Sequence, residues 1–146
     1  MFNKLLKLYK VVSHVLKNKF NNIQYIIMTI IKLKDYPEFQ PNLTPREIFK
    51  LGSFGGTYWR PIYSSITKKN YNNQHKKYPK SWWKNIPEKH LVTKWNDYDT
   101  SINKYKVKVG TTLPFWEEKK WITKYHPYGW VQWYCDFYNG KRSKDD

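Results

Sequence analysis

Apolar positions recur at helical spacing near the start of the chain, at Phe2, Leu5, Leu6, Tyr9, Val12, Leu16 and Phe20, with Lys4, Lys7, Lys10 and Lys17 among them. That spacing predicts a basic amphipathic helix. The string over residues 23–33 is rich in β-branched residues and fits strand or helix equally. Neither stretch holds the roughly eighteen unbroken apolar residues of a membrane span. Residues 1–34 therefore read as a basic, helical extension. It either packs on the rest of the chain, lies on a membrane surface through residues 1–20, or serves as a targeting peptide. The composition shift after Met28 also allows a start at that methionine.

From Asp35 onward the punctuation sharpens. Pro37 and Pro41 keep the chain extended. Thr44, Pro45 and Glu47 then give the N-cap, first-turn proline and capping box of a helix over 45–51, and Gly52 gives its exit. Gly55 and Gly56, flanked by Phe54 and Tyr58, mark a tight turn or a close backbone approach. The Asn/Lys/Gln/His-rich stretch over 67–80 reads as a solvated basic loop. A short helix is expected at 81–86, stopped by Pro87. Tyr105, Val107 and Val109 alternate with Lys104, Lys106 and Lys108, which predicts a strand near 104–109 with one wet face. Trp130, Trp133, Tyr134 and Phe137 fall at i, i+3, i+4 and i+7, predicting a helix over 128–139 closed by Gly140, with Trp130 and Trp133 in the core. These elements describe an α+β fold: a single small domain over 35–146 with short helices, a small antiparallel sheet and an aromatic-rich core.

Charge changes the picture next. The net charge is +16, and arginine supplies only Arg46, Arg60 and Arg142 of the 27 basic residues. There is no alanine, while Asn, Ile, Lys and Tyr abound, the pattern that an A+T-rich coding sequence leaves on tolerant surface positions. The distribution is uneven: residues 1–34 carry +7, residues 35–67 sum to zero, residues 68–90 carry +6 and residues 91–146 carry +3. A field of this size attracts nucleic acid or an anionic membrane surface. The single cysteine, Cys135, excludes an internal disulfide and suits an intracellular setting.

Candidate chemistry is sparse. The glycine pair lacks the lysine of a phosphate-binding P-loop. Its functional version is narrower: the amides of Gly55 and Gly56, with Arg60, cradle one backbone phosphate. Asp97, Asp99, Glu117, Glu118 and Asp136 would make a metal-dependent nuclease site only by converging around ions. His14, His75, His90 and His126 show no metal-ligand spacing, and Cys135 on an aromatic helix reads as a packed thiol. No catalytic residue, metal or cofactor is assigned.

Aromatic density stands out, with eight tryptophans. Lysines interleave with them around Trp82 and Trp83, and again between Trp116 and Trp121, as in a basic groove with stacking platforms. The expected function is a non-enzymatic nucleic-acid-binding module. Its site residues are Lys68, Lys69, Lys76, Lys77, Lys80, Lys84, Trp82, Trp83, Arg60, Gly55 and Gly56. The alternatives are a structural or virion interaction protein that binds a protein partner, and a metal-dependent nuclease.

The strings Leu43 to Pro45, Leu51 to Ile62, Tyr78 to Trp82, Asn103 to Gly110, Pro127 to Cys135 and Gly140 to Ser143 resemble a basic, aromatic-rich family of algae, fungi and large DNA viruses. The resemblance covers about three-quarters of the chain and implies kinship, in keeping with the A+T-biased composition of the viral branch, but no mechanism. Members of that family run on past the final acidic pair into a further basic segment, whereas this sequence stops at Asp145 and Asp146, and the resemblance leaves open whether it is a complete copy.

Overall fold

The computed structural model describes residue 31, residues 33–108 and residues 110–146. The expectations for residues 1–30, including the basic helix, its membrane contact and the Met28 start, lie outside the described residues.

Local chemistry fixes the first helix among the described residues, α1 (Pro45–Leu51). Thr44 Oγ1 accepts from the Glu47 amide at 3.3 Å, and the Glu47 carboxylate accepts from the Thr44 amide at 2.7 Å. This reciprocal box satisfies two otherwise unpaired donors, and proline at the first helical position has no N–H to lose. The Thr44 bonds also hold the Glu47 carboxyl below the usual carboxylate range.

A hairpin follows, with β1 (Ile62–Ser64) antiparallel to β2 (Lys69–Tyr71) and Ile62 opposite Tyr71. It is the one sheet among the described residues. After a single 3-10 turn over Gln74–Lys77 comes α2 (Lys80–Trp83), one turn long. Three more 3-10 turns occupy Glu88–His90, Trp95–Asp97 and Thr100–Ile102 before α3 (Leu113–Glu118) and α4 (Trp130–Tyr138). The described residues form a small mixed α+β fold with four short α-helices. None of its described helices is long and apolar enough to cross a membrane.

Aromatic side chains make the core. Phe49 of α1, Tyr58 and Trp59 of the segment after the glycine pair, Tyr78, Tyr128 and the Val131 and Cys135 side of α4 form one buried cluster. Trp133, Tyr134 and Phe137 form a second on the same helix, covered by Tyr36 and Phe39. The rings meet mostly edge to face or tilted, with Tyr58 to Trp59 at 5.0 Å and Tyr36 to Phe137 at 4.8 Å. Such contacts add about 0.5–1.5 kcal/mol per pair beyond area burial. Hydroxyls tie the layers together. The Tyr58 hydroxyl donates to the Tyr128 carbonyl and accepts the Gln132 amide at 3.1 Å, while Tyr134 donates to Leu43 at 2.6 Å. Burial pushes the Tyr58 phenol and the Cys135 thiol well up. Cys135 is a packed, inert thiol.

Several expectations are corrected. No strand forms over the described part of 104–109. Lys106 takes a left-handed φ of 57°, and Asn103 Nδ2 ties down the Val107 carbonyl at 2.8 Å, so the alternating run is a turn and an exposed loop. The 67–80 stretch is not all loop, since it carries β2 and the Gln74–Lys77 turn. The helix expected at 81–86 runs over Lys80–Trp83, because Lys84 is extended and Asn85 is left-handed at φ 65°. The last helix is likewise a little shorter than 128–139. Trp133 is buried as expected, but Trp130 is 46% exposed. Trp130 begins α4, and helical Cβ atoms tilt toward the N-terminus, so its indole overhangs the start of the helix instead of entering the core.

Candidate nucleic-acid interface

The six expected lysines are carried on one folded run. Lys68 sits in the hairpin turn in a left-handed conformation, its amide bonded to Ser64 O at 2.9 Å, and Lys69 opens β2. Lys76 and Lys77 lie on the 3-10 turn, Lys80 starts α2 and Lys84 caps it. All six are exposed, and among the described residues none has a carboxylate within ion-pair distance. The run's other residues anchor it. Ile62, His75, Tyr78 and Ile86 are buried beneath it, and the Arg46 guanidinium on α1 donates to the carbonyls of Ser81 and Lys84. On the far side of the hairpin turn, Glu117 of α3 accepts from Ser64 Oγ at 3.1 Å, Ser65 N at 3.0 Å and Ser65 Oγ at 2.6 Å. Its carboxylate is thus held by neutral donors and leaves the lysines unneutralised.

Trp82 and Trp83 belong to this anchoring layer. Trp82 stacks on Tyr78 at 5.5 Å and 16° and meets the edge of Tyr138. Trp83 donates its indole N–H to Tyr78 O at 3.1 Å and lies edge to face with His75. Both are half-buried. The indole with an open face and lysines around it is Trp121, 53% exposed, which meets the edge of Phe115 at 5.7 Å. Lys119 lies over Phe115 and Lys124 over Tyr125, itself partly exposed. The lysine interleaving between Trp116 and Trp121 was the sequence signal for this turn.

The phosphate cradle expected at the glycine pair does not form. Gly55 donates its amide to Asn103 Oδ1 at 2.6 Å, Gly56 donates to Ser53 O at 3.1 Å, and both residues are buried. Their carbonyls accept from Asp99 N and Thr93 N. The pair is a junction between chain segments, with no amide left for an anion. Arg60 stands apart, its guanidinium 5.0 Å from the Trp95 ring centroid.

The acids of the nuclease alternative are dispersed. Asp99 caps the Thr100–Ile102 turn through Ser101, which holds its carboxyl below the usual range. Glu117 serves the hairpin, and Asp136 takes Lys141 at 2.8 Å. Among the described residues no three metal-capable side chains cluster. His126 and Asp145 pair at 2.6 Å in a buried site braced by Thr123, which ties the last residues to the segment before α4.

His75 is the electrostatic weak point of the lysine run. It is buried, and its Nδ1 is the one buried side-chain polar atom without a hydrogen bond among the described residues. Burial first, then the neighbouring Lys76, lower its pKa, with Glu88 opposing. Below the unfolded-state value the unfolded chain binds the proton more readily, so stability present above that value is lost as pH falls toward the depressed folded value. Between about pH 7.5 and about pH 5.5 the Tm is expected to drop, and His75→Gln to flatten that drop. Thermal melts of the two proteins across that interval check it; parallel curves would refute it.

No known protein family, curated protein or solved structure matches the chain.

Proposed function

We propose that this protein is a non-enzymatic nucleic-acid-binding module. One observation carries the reading: six exposed lysines, without carboxylate partners among the described residues, stand on a run that aromatic anchors hold in place. A polyanion meeting this run displaces only water and counterions, since no internal ion pair has to break. Phosphates then contribute a sequence-blind electrostatic term through counterion release. Trp121 and Tyr125, with Lys119, Lys120 and Lys124, add a place for unpaired bases to stack, worth about 1–3 kcal/mol per base.

Fluorescence anisotropy with labelled duplex and single-stranded probes over a salt series tests this. Log K is expected to fall linearly with log salt, with slope about −0.9 per neutralised duplex phosphate and about −0.7 per single-strand phosphate. An absence of binding to both probes at low salt would overturn the proposal.

A second reading rests on the exposed Trp130 and Tyr63, which offer apolar surface to a protein partner or a second copy. Its mark is association that salt does not weaken, read by sedimentation.

A further inference from the structure

Between the hairpin and α3 the surface opens into a groove of about 400 Å³, lined by Tyr63, Ser65, Ile66, Pro114, Glu117 and Glu118. Strand alternation supplies its aromatic part. Ile62 and Ser64 are buried on β1, so Tyr63 between them faces out and is 54% exposed. Ile66, also partly exposed, carries the apolar surface past the strand, and Pro114 in the first turn of α3 adds to it. The hydrogen bonds from Ser64 and Ser65 to the Glu117 carboxylate tie the two elements to each other. Small-molecule sites run from about 300 Å³ upward, so the groove has room for one flat heterocycle.

Glu118 differs from its neighbour. It is largely exposed, and among the described residues its carboxylate makes no hydrogen bond and has one ion-pair neighbour, Lys119 at 3.9 Å. An exposed pair at that distance holds the carboxylate only weakly. The groove therefore combines a ring face, aliphatic surface and a group that only accepts hydrogen bonds. The charge around it has the opposite sign. Lys68 and Lys69 follow Ile66 on the hairpin side, Lys119 and Lys120 follow Glu118 on the other, and all four are exposed. A basic peptide would have to approach a chain of net charge +16 for the sake of one exposed carboxylate. A planar hydrogen-bond donor that carries its own phosphates is drawn by both signs.

We infer that this groove seats one unpaired guanine of a single-stranded nucleic acid, stacked on Tyr63 and donating to Glu118. Stacking on an exposed ring suits every base. The carboxylate makes the choice. Guanine presents two adjacent donors, at N1 and N2, which match the two oxygens of one carboxylate. Adenine and cytosine place an acceptor nitrogen beside their amino group, and thymine and uracil flank their single N–H with carbonyls. Each of these sets an acceptor against the carboxylate. Base pairing occupies the same edge of guanine, so a duplex does not qualify. The inference rests on the nucleic-acid reading above and adds a base preference that lysine contacts to phosphate do not supply.

The test measures anisotropy at one salt concentration with single strands of equal length. One strand is all thymine, and the others carry one central guanine, adenine or hypoxanthine, the last keeping the N1 donor of guanine but lacking the N2 amino group. The guanine strand is expected to bind about tenfold tighter than the thymine strand, in the range of a bidentate base contact, and the hypoxanthine strand to lose most of that gain. Glu118→Ala is expected to bring the guanine strand to the level of the thymine strand with an unchanged melting curve, and Tyr63→Leu to shrink the guanine advantage. Binding of all strands without a guanine preference, or a preference that survives Glu118→Ala, overturns the inference and leaves the nucleic-acid reading standing. Failure of every strand to bind at low salt overturns both. A lysine-rich peptide that displaces the guanine strand, and whose own binding is lost in Glu118→Ala, assigns the groove to a protein segment and overturns the inference too.

Discussion

Gly56→Ala is expected to destabilise the fold by about 3–5 kcal/mol, the largest single-site effect foreseen in this chain. A Cβ at this position would stand 1.8 Å from the Lys89 carbonyl oxygen and 2.9 Å from its carbon, so the obstacle is backbone and not a movable side chain. Neither strand of chain has freedom to retreat. Gly56 O accepts the Thr93 amide at 3.1 Å, and Trp59 N donates to Leu91 O at 2.8 Å, which locks the two segments on both sides of the contact. Gly56 also has φ 80°, a conformation that costs an L-residue about 1–2 kcal/mol. Against a typical total stability of about 5–15 kcal/mol, the variant should lose roughly 10–20 °C in Tm or fail to accumulate folded. Gly140→Ala separates the two causes. Gly140 has φ 84° but nothing within 4 Å of its added Cβ, so it carries conformational strain without collision and should cost only about 1–2 kcal/mol. Chemical denaturation of the two variants checks this, and equal losses would contradict the close-approach account.

The second large effect concerns binding. Replacing Lys68, Lys69, Lys76, Lys77, Lys80 and Lys84 with glutamine is expected to weaken duplex binding at least about a hundredfold at moderate salt and to shrink the salt slope by up to about 5. The variant should fold, since these side chains are exposed and make no hydrogen bond or ion pair among the described residues. Equal charge removal elsewhere is the essential comparison, because a +16 chain attracts polyanions in a diffuse way. Lys34, Lys50, Lys94, Lys104, Lys108 and Lys144 are also exposed and provide it. Their replacement should reduce the slope far less. Identical slopes for the two sets would mean that net charge alone governs binding and that the lysine run has no special part.

What the sequence made legible was whatever its near neighbours decide. Helix α1 was readable because Thr44, Pro45, Glu47 and Gly52 each act within a turn or two of themselves. The burial of Trp133, Tyr134 and Phe137 followed from helical spacing, whereas the exposure of Trp130 depends on where the core ends relative to the first turn of α4. The false strand at 104–109 arose because alternation is a local cue, while Asn103 is buried by distant segments and bonds both Gly55 and Val107. Helix α3 carries local signals in Thr112, its N-cap, and the proline in its first turn, but at six residues it is too short to show a helical period. The hairpin was missed because three-residue strands are too short to establish a period.

The site divides in the same way. Charge is additive along a chain, so the lysine run was visible from the uneven distribution of charge along the sequence. The glycine pair was correctly marked for close backbone approach, but its amides answer to Asn103 and Ser53, a pairing that no local pattern encodes. The groove beside Tyr63 draws its walls from stretches around residues 63–66 and 114–118, and only tertiary structure brings them together.

The most direct test of the binding account is a lysine acylation footprint, read by mass spectrometry with and without bound duplex. The account predicts that Lys68, Lys69, Lys76, Lys77, Lys80 and Lys84 lose reactivity on binding while Lys34, Lys50 and Lys144 keep theirs. Protection spread evenly over all exposed lysines, or confined to residues outside the 68–84 run, would contradict it.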